Sequence, residues 1–199
     1  MNTVHIFDID TTIADNKHRA NLLNRICIVC LASKGTERRA ICPTCNIETE
    51  SQTSQEDWDA FFDPELVIKD VPNAKALVYA DKLRAKDATI HFLTGRSEPA
   101  RVVTELWLKT KFNKQDSETL IMRPNEEYGL LASKYKERAW SRLCQENGYK
   151  RDTLFYFYED DPHVINMYGS HGIVIQCPEA WDFLVPDNTD KVEKAWAIL

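Results

Sequence analysis

Glycine is scarce in this chain, with six among 199 residues. No glycine-rich loop followed by lysine occurs, so the phosphate cradle of a nucleoside-triphosphate-dependent kinase is absent. No apolar run approaches the roughly 20 residues that span a bilayer. Nor does the N-terminus show the charged-then-apolar pattern of a secretory signal. A surplus of positive charge is missing too. The formal net charge of −6 argues against a surface that coats nucleic acid generally, and leaves local basic patches open. There is no internal repeat, and no low-complexity segment beyond a short polar tract from Glu48 to Glu56. These absences lead to the expectation of a soluble, intracellular, cytoplasmic protein (in the host cytoplasm if the chain is viral). The 43% of apolar residues is enough for one core with a small appendage.

The chain is organised around Val4-His5-Ile6-Phe7-Asp8-Ile9-Asp10-Thr11-Thr12. A short apolar run ends abruptly in two carboxylates one residue apart. On a strand, residues i and i+2 point the same way, and a turn after Asp8 can aim both acids into one small site. Two acids that close repel one another, so at neutral pH they need a cation or a shared proton. A hard divalent ion that takes oxygen ligands and leaves room for phosphate oxygens fits best, namely Mg²⁺. The plainer reading is a strand that ends in a polar loop.

Strand-like runs at 3–9, 89–94, 120–122, 154–158 and 172–176 alternate with helical periods. The helical stretches are Asp15 to about Arg25, Ala74 to about Lys86 with Pro72 in its first turn, Pro99–Phe112, Ser133–Asn147, Pro162–Tyr168 and Trp181–Leu199 with a break at Pro186. Such alternation implies a parallel sheet with helices on both faces. Ligands then bind outside the carboxyl ends of the strands. Three of the predicted strands end in Asp8-Ile9-Asp10, Thr94-Gly95-Arg96 and Glu159-Asp160-Asp161, which places acids, a hydroxyl and a guanidinium along one edge.

Residues 26–55 have a different character. Cys27-x2-Cys30-x11-Cys42-x2-Cys45 has the spacing of a four-thiolate Zn²⁺ site, closed on all sides and therefore structural. The alternatives are two disulfides or four ordinary thiols. Without the metal the insert has too few apolar residues to fold. Between the cysteine pairs Lys34, Arg38 and Arg39 form a basic loop that either meets a phosphate backbone or is simply solvated. Cys144 and Cys177 read as core thiols. Trp58, Phe61 and Phe62 mark the return to a packed body, with core packing favoured over base stacking.

Taken together, Asp8-Ile9-Asp10-Thr11-Thr12, Thr94, a lysine at 134 or 136 and Glu159-Asp160 occur in the order of the four motifs of the haloacid dehalogenase (HAD) superfamily of phosphohydrolases, which this chain resembles outside residues 26–55. The resemblance implies an α/β fold: a Rossmann-like parallel sheet of about five strands with helices on both faces. It divides the chain into a phosphatase core, 1–25 and 56–199, and a small zinc-binding cap insert, 26–55. It makes Asp8 the nucleophile that forms an aspartyl-phosphate, and Asp10 the group that protonates the leaving oxygen and then activates water. It puts Mg²⁺ on Asp8, the Asp10 carbonyl and Asp160, with Glu159 orienting or binding through water. Thr94 would hydrogen-bond a phosphoryl oxygen, and the lysine would neutralise charge near Asp8. Lys136 is preferred to Lys134, because Ala139, Trp140 and Leu143 follow it in helical register. Asp161 has no evident role. The family usually has glycine at the position of Thr11, and a shifted turn is expected there.

Asp15, His18-Arg19, Trp58, Phe61, Thr94-Gly95-Arg96-Ser97-Glu98, Met122-Arg123-Pro124 and Tyr158-Glu159-Asp160 are closer to compact phage and bacterial HAD phosphatases, among them small nucleotidases and the polynucleotide kinase 3′-phosphatase domain. That likeness brings Arg96 to substrate phosphate and His18 and Arg19 to the site from the cap side; a helix-end salt bridge and a plain surface role are the alternatives. The expected function is a Mg²⁺-dependent 5′-nucleotidase acting on (deoxy)nucleoside monophosphates. The runner-up is a 3′-phosphatase on polynucleotide ends, with nucleic acid held by the basic zinc loop. From a different class comes an inactive zinc-dependent nucleic-acid-binding module.

Overall fold

A computed structural model describes residues 3–20, 22–23, 25–27, 33–35, 42, 44–46, 51–52 and 54–186. From the N-terminus it runs through β1 (Thr3–Phe7), β2 (Ala14–Asp15) and α1 (Lys17–Ala20). Three short strands follow, β3 (Arg25–Cys27), β4 (Ser33–Gly35) and β5 (Ser51–Gln52), and then helices α2 (Gln55–Phe61) and α3 (Pro64–Val67). Next come β6 (Val71–Pro72), α4 (Ala74–Arg84), β7 (Thr89–Ser97), α5 (Arg101–Lys111) and β8 (Thr119–Arg123). The remaining elements are α6 (Ala132–Glu146), β9 (Leu154–Glu159), α7 (Pro162–Tyr168), β10 (Ile173–Gln176) and α8 (Ala180–Leu184).

The main sheet has five parallel strands in the order β10-β9-β1-β7-β8, so β1 is central. Its alternation divides the core. Val4 and Ile6 face Tyr135, Ala139, Leu143 and Val164 on one side. Phe7 packs on the other side among Phe92, Trp107, Phe112, Tyr158 and Trp181, as period-two side chains require. Burying a Phe7-sized side chain contributes about 1.5–3 kcal/mol, and a change in strand register would put all of these on the wrong face. The α/β sheet flanked by helices is thus the fold that the alternating pattern implies. Among the described residues no helix is long and apolar enough to cross a membrane.

Several local readings are corrected. The predicted helix from Asp15 to about Arg25 is only Lys17–Ala20, after which Leu22 N–H closes a turn on Arg19 O at 3.1 Å. The span carries Asn21 and Asn24, which favour turns over helix interiors. Pro72 is not in a first helical turn: it pairs with Ala14 in the β2–β6 ladder. Asn73 caps α4 instead, its side chain accepting from Lys75 and Ala76 N–H. The second predicted strand does not stop at Thr94. β7 continues to Ser97, with an irregularity against β8 between Leu93 and Ser97.

The turn after Asp10 is not shifted either. Thr11 itself adopts φ 69°, and its N–H bonds Ala14 O at 2.9 Å. A β-branched residue is strained there. In the insert, β3 pairs antiparallel with β4 and β5. Of the rest of the insert, residues 42, 44–46, 54 and 55 are described; Cys30, Arg38 and Arg39 lie outside the described residues, as do the side chains of Cys27 and Lys34.

Candidate active site

The carboxyl ends of β1 and β9, adjacent and in register, bring Asp8 beside Glu159 and Asp160. One carboxylate oxygen from each lies within 4.8 Å of the others. Into this group α6 sends Lys136, whose Nζ donates to Asp8 Oδ1 at 2.8 Å and to Glu159 Oε2 at 2.6 Å. Lys134, one of the two sequence candidates, instead reaches outward to Glu137 at 3.3 Å. The helical register decides between them: Tyr135, Lys136, Ala139 and Leu143 share the buried face of α6.

Glu159 is committed on both oxygens. Oε1 accepts from the backbone N–H of Asp160 and Asp161 at 3.3 and 3.2 Å, while Oε2 takes Lys136. It therefore shapes the loop and holds the lysine. Asp160 is half-buried, and one of its oxygens accepts from the Thr12 hydroxyl at 3.4 Å. Asp161 has a role the sequence left open: it caps α7, accepting His163 N–H at 2.9 Å. Burial, with the Asp8 and Asp160 charges, pushes the Glu159 carboxyl well above its usual range against the pull of Lys136. Burial would lower Lys136, but Asp8 and Glu159 outweigh it and hold the ammonium above the usual lysine range.

A second cluster stands beside the first. Asp10, next but one to Asp8, carries no lysine; Arg19 and Arg96 meet it instead, both with no exposed surface. Arg96 Nε and Nη2 each lie 2.9 Å from an Asp10 oxygen, and Arg19 Nη2 lies 2.6 Å from Oδ1. Asn16 Nδ2 adds a bond at 2.9 Å. Behind the guanidiniums lies Asp70, fully buried, which the sequence reading did not single out.

Burial would raise the Asp10 carboxyl, yet the charges of Arg96 and Arg19 and the bonds from Arg96 and Asn16 hold it well below the usual carboxylate range. Two expectations change accordingly. Arg96, predicted to meet substrate phosphate, has its guanidinium on Asp10 and Asp70. Arg19, predicted to approach from the cap side, is interior, stacked 3.9 Å over the Phe61 ring and bonded to Phe61 O at 2.8 Å. His18 reaches Leu66 O at 3.1 Å and stands 3.7 Å from Asp70.

Thr94 is buried at the same edge, its Oγ1 accepting Arg96 N–H at 3.2 Å. Phe61 and Phe62 are core residues, and half-buried Trp58 stacks on Phe62 with centroids 5.3 Å apart.

Among the described residues, Asp8, Glu159 and Asp160 are the group that could hold a metal ion. Asp8 and Asp160, with Glu159 behind them, offer only hard oxygens, the preference of Mg²⁺. Cys42 and Cys45 offer sulfur on a tight turn. Thr44 N–H points at Cys42 Sγ at 3.4 Å, Asn46 N–H bonds Cys42 O at 2.9 Å, and Asn46 takes φ 56°. An amide aimed at sulfur is the kind of outer support that thiolate ligands use.

No protein-family model matches this chain. No similar sequence was found among curated proteins. Among solved structures, a chain of the "Pnkp1/Rnl/Hen1 RNA repair complex" superposes with a TM-score of 0.51 at 13% identity, covering 89% of this chain. The present chain spans 42% of the length of that one. At that identity the likeness is one of fold: an α/β sheet with flanking helices.

Proposed function

We propose that the chain is a Mg²⁺-dependent phosphomonoesterase of HAD type, working through an aspartyl-phosphate on Asp8. The observation that carries this reading is the convergence of Asp8, Glu159 and Asp160 at the carboxyl edge of a parallel sheet, with the Lys136 ammonium on Asp8 and Glu159. Mg²⁺, when bound, would be held by Asp8, Asp160 and the Asp10 carbonyl and would take up phosphate charge as the anionic nucleophile approaches.

The chain's own groups do the rest. Asp8 Oδ attacks phosphorus, forming an acyl-phosphate bond as the phosphorus–ester oxygen bond breaks and the leaving oxygen takes a proton from Asp10. Lys136 offsets the negative charge that gathers between Asp8 and the phosphate. Thr94 donates its hydroxyl proton to a phosphoryl oxygen. Asp10, then left as the carboxylate that Arg19, Arg96 and Asn16 stabilise, takes the proton of the water that cleaves the intermediate. The proton it then carries is the one given to the next leaving oxygen. Cys27, Cys30, Cys42 and Cys45 would hold a structural Zn²⁺ that staples the insert after Asp10, where it covers the site and selects substrate.

For substrate we favour a nucleoside 5′-monophosphate, which suits a small acidic protein. One observation favours a second reading, removal of the 3′-phosphate from a polynucleotide end: the fold likeness is to a chain of an RNA repair complex. Phosphate release with Mg²⁺ from deoxy- and ribonucleoside 5′-monophosphates, 3′-monophosphates and a 3′-phosphorylated oligonucleotide separates them, with Asp8→Asn as control. Turnover of monophosphates lost in the control supports the first reading, and preference for the oligonucleotide the second. No release from folded, zinc-loaded protein would leave a binding module.

A further inference from the structure

Asp70 lies 60 residues along the chain from Asp10 and belongs to no motif, yet it is built into the same buried cluster. The two arginines divide their donors between the two aspartates in mirror fashion. Arg19 is bidentate to Asp70, Nε to Oδ1 at 2.8 Å and Nη2 to Oδ2 at 2.6 Å, and gives one bond to Asp10. Arg96 is bidentate to Asp10 and gives one bond to Asp70 Oδ2, from Nη2 at 2.7 Å.

Two guanidiniums on one carboxylate would leave a buried, uncompensated positive charge. With Asp70 the cluster has two of each sign, which is what an interior tolerates. Asp70 is in turn fixed from outside. Its carbonyl accepts the Trp107 indole N–H at 2.8 Å, its N–H bonds Val67 O at 3.1 Å, and the next residue pairs with Asp15 in the β2–β6 ladder. Arginine forks are directional, so the rotamer of each guanidinium is set by the carboxylate that grips it bidentately.

We infer that Asp70 is a positioning residue of the active site: by gripping Arg19 and Arg96 it fixes the guanidinium pair that holds the Asp10 carboxylate in one orientation beside Asp8. Asp70 touches no reacting atom in this scheme, and its effect passes through the arginines. It also ties the reacting edge to the segment after the cysteine insert, since Phe61 O and Asp70 hold Arg19 from the same stretch of chain. The inference rests on the phosphatase reading for its kinetic consequence, and on the cluster alone for its geometry.

The test compares Asp70→Asn and Asp70→Glu with the wild-type protein on whichever phosphomonoester it turns over, Asp8→Asn defining the background. Asparagine removes charge at constant shape, and glutamate keeps charge and displaces it. Support around a catalytic group is commonly worth about 10–100-fold in activity. We expect kcat to fall about 100-fold in Asp70→Asn and about 10-fold in Asp70→Glu, with KM within about 3-fold in both. The Nε–H resonances of Arg19 and Arg96, both buried and bonded to carboxylates, should shift or broaden in both variants. If Asp70→Asn does not fold, Asp70→Glu carries the test alone. A folded variant with kcat within about 2-fold of wild type, or with KM rising in step with the loss of kcat, would overturn the positioning role. If the wild-type protein releases no phosphate, the functional reading fails separately, and Asp70 is then judged on the arginine resonances, whose persistence unchanged would sink it.

Discussion

Two buried charge clusters stand side by side at the edge of one sheet, and their balance of sign differs. In one, Asp8 and Glu159 share the Lys136 ammonium and Asp160 lies beside them. Around Asp10, two carboxylates meet two guanidiniums. In the first, burial together with the Asp8 and Asp160 charges makes Glu159 hold a proton more tightly than a free carboxyl. The second is complete without help, and its Asp10 responds in the opposite direction. Three acids whose oxygens lie within 4.8 Å of one another could hold a cation, whereas a cluster with two charges of each sign fixes geometry. Under the proposed function the two clusters divide the labour: Asp8 would form the bond next to a metal, and Asp10 would handle the proton in a frame of arginines.

The largest expected effect breaks each cluster in turn. Asp8→Asn should cut phosphate release by more than about 10³-fold with little change in thermal stability, because it relieves a crowded set of acids. Asp10→Asn should cut activity too, and in addition destabilise the fold by about 3–5 kcal/mol in urea, because it leaves a buried guanidinium without its counter-charge. Equal stability changes in the two variants would erase the distinction.

Next comes magnesium. Saturating Mg²⁺ at about 100 times its Kd should stabilise the protein by about 2.7 kcal/mol, read as a rise in Tm. Asp160→Asn should abolish the rise, and Asn16→Ala, which touches only the neutral cluster, should leave it in place.

Acid sharpens the comparison by setting where it can be made. Burial lowers His5 and His91 from 6.5 to about 4. The unfolded chain then binds protons between those values that the folded chain does not, so stability falls as pH drops from 6.5 towards 4 and is full above that window. The loss is on the order of 2–3 kcal/mol for each histidine, and each substitution by glutamine should flatten a urea titration across the window. The smallest effect concerns Thr11. Thr11→Gly relieves a φ of 69° at an exposed position and should gain about 0.5–1 kcal/mol in urea.

The cation-poor cluster was legible in the sequence, because each member ends an apolar run or keeps a helical register. Asp8 and Glu159-Asp160 close strands, and Lys136 is followed at the right steps by Ala139, Trp140 and Leu143. The neutral cluster was half legible. Asp10 and the two arginines stood out as residues, but their destination did not, since a side chain's direction after a turn depends on partners distant in sequence. Asp70 gave no signal at all. It sits in Lys69-Asp70-Val71-Pro72, which has no period, and meets Arg19 from 51 positions away and Arg96 from 26. The bounds that moved were governed by tertiary contacts as well: β7 gains three residues by pairing with β8 as far as Ser97, and Pro72 joins a ladder with Ala14.

The central claim, covalent chemistry at Asp8, has a direct test. The protein would be mixed with Mg²⁺ and an excess of its best phosphomonoester, quenched in acid within the first turnovers, digested and weighed peptide by peptide. One phosphoryl group is expected on the peptide that contains Asp8, and none when Asp8 is replaced by asparagine. Turnover with no adduct on that peptide, or turnover that survives Asp8→Asn, would contradict the claim.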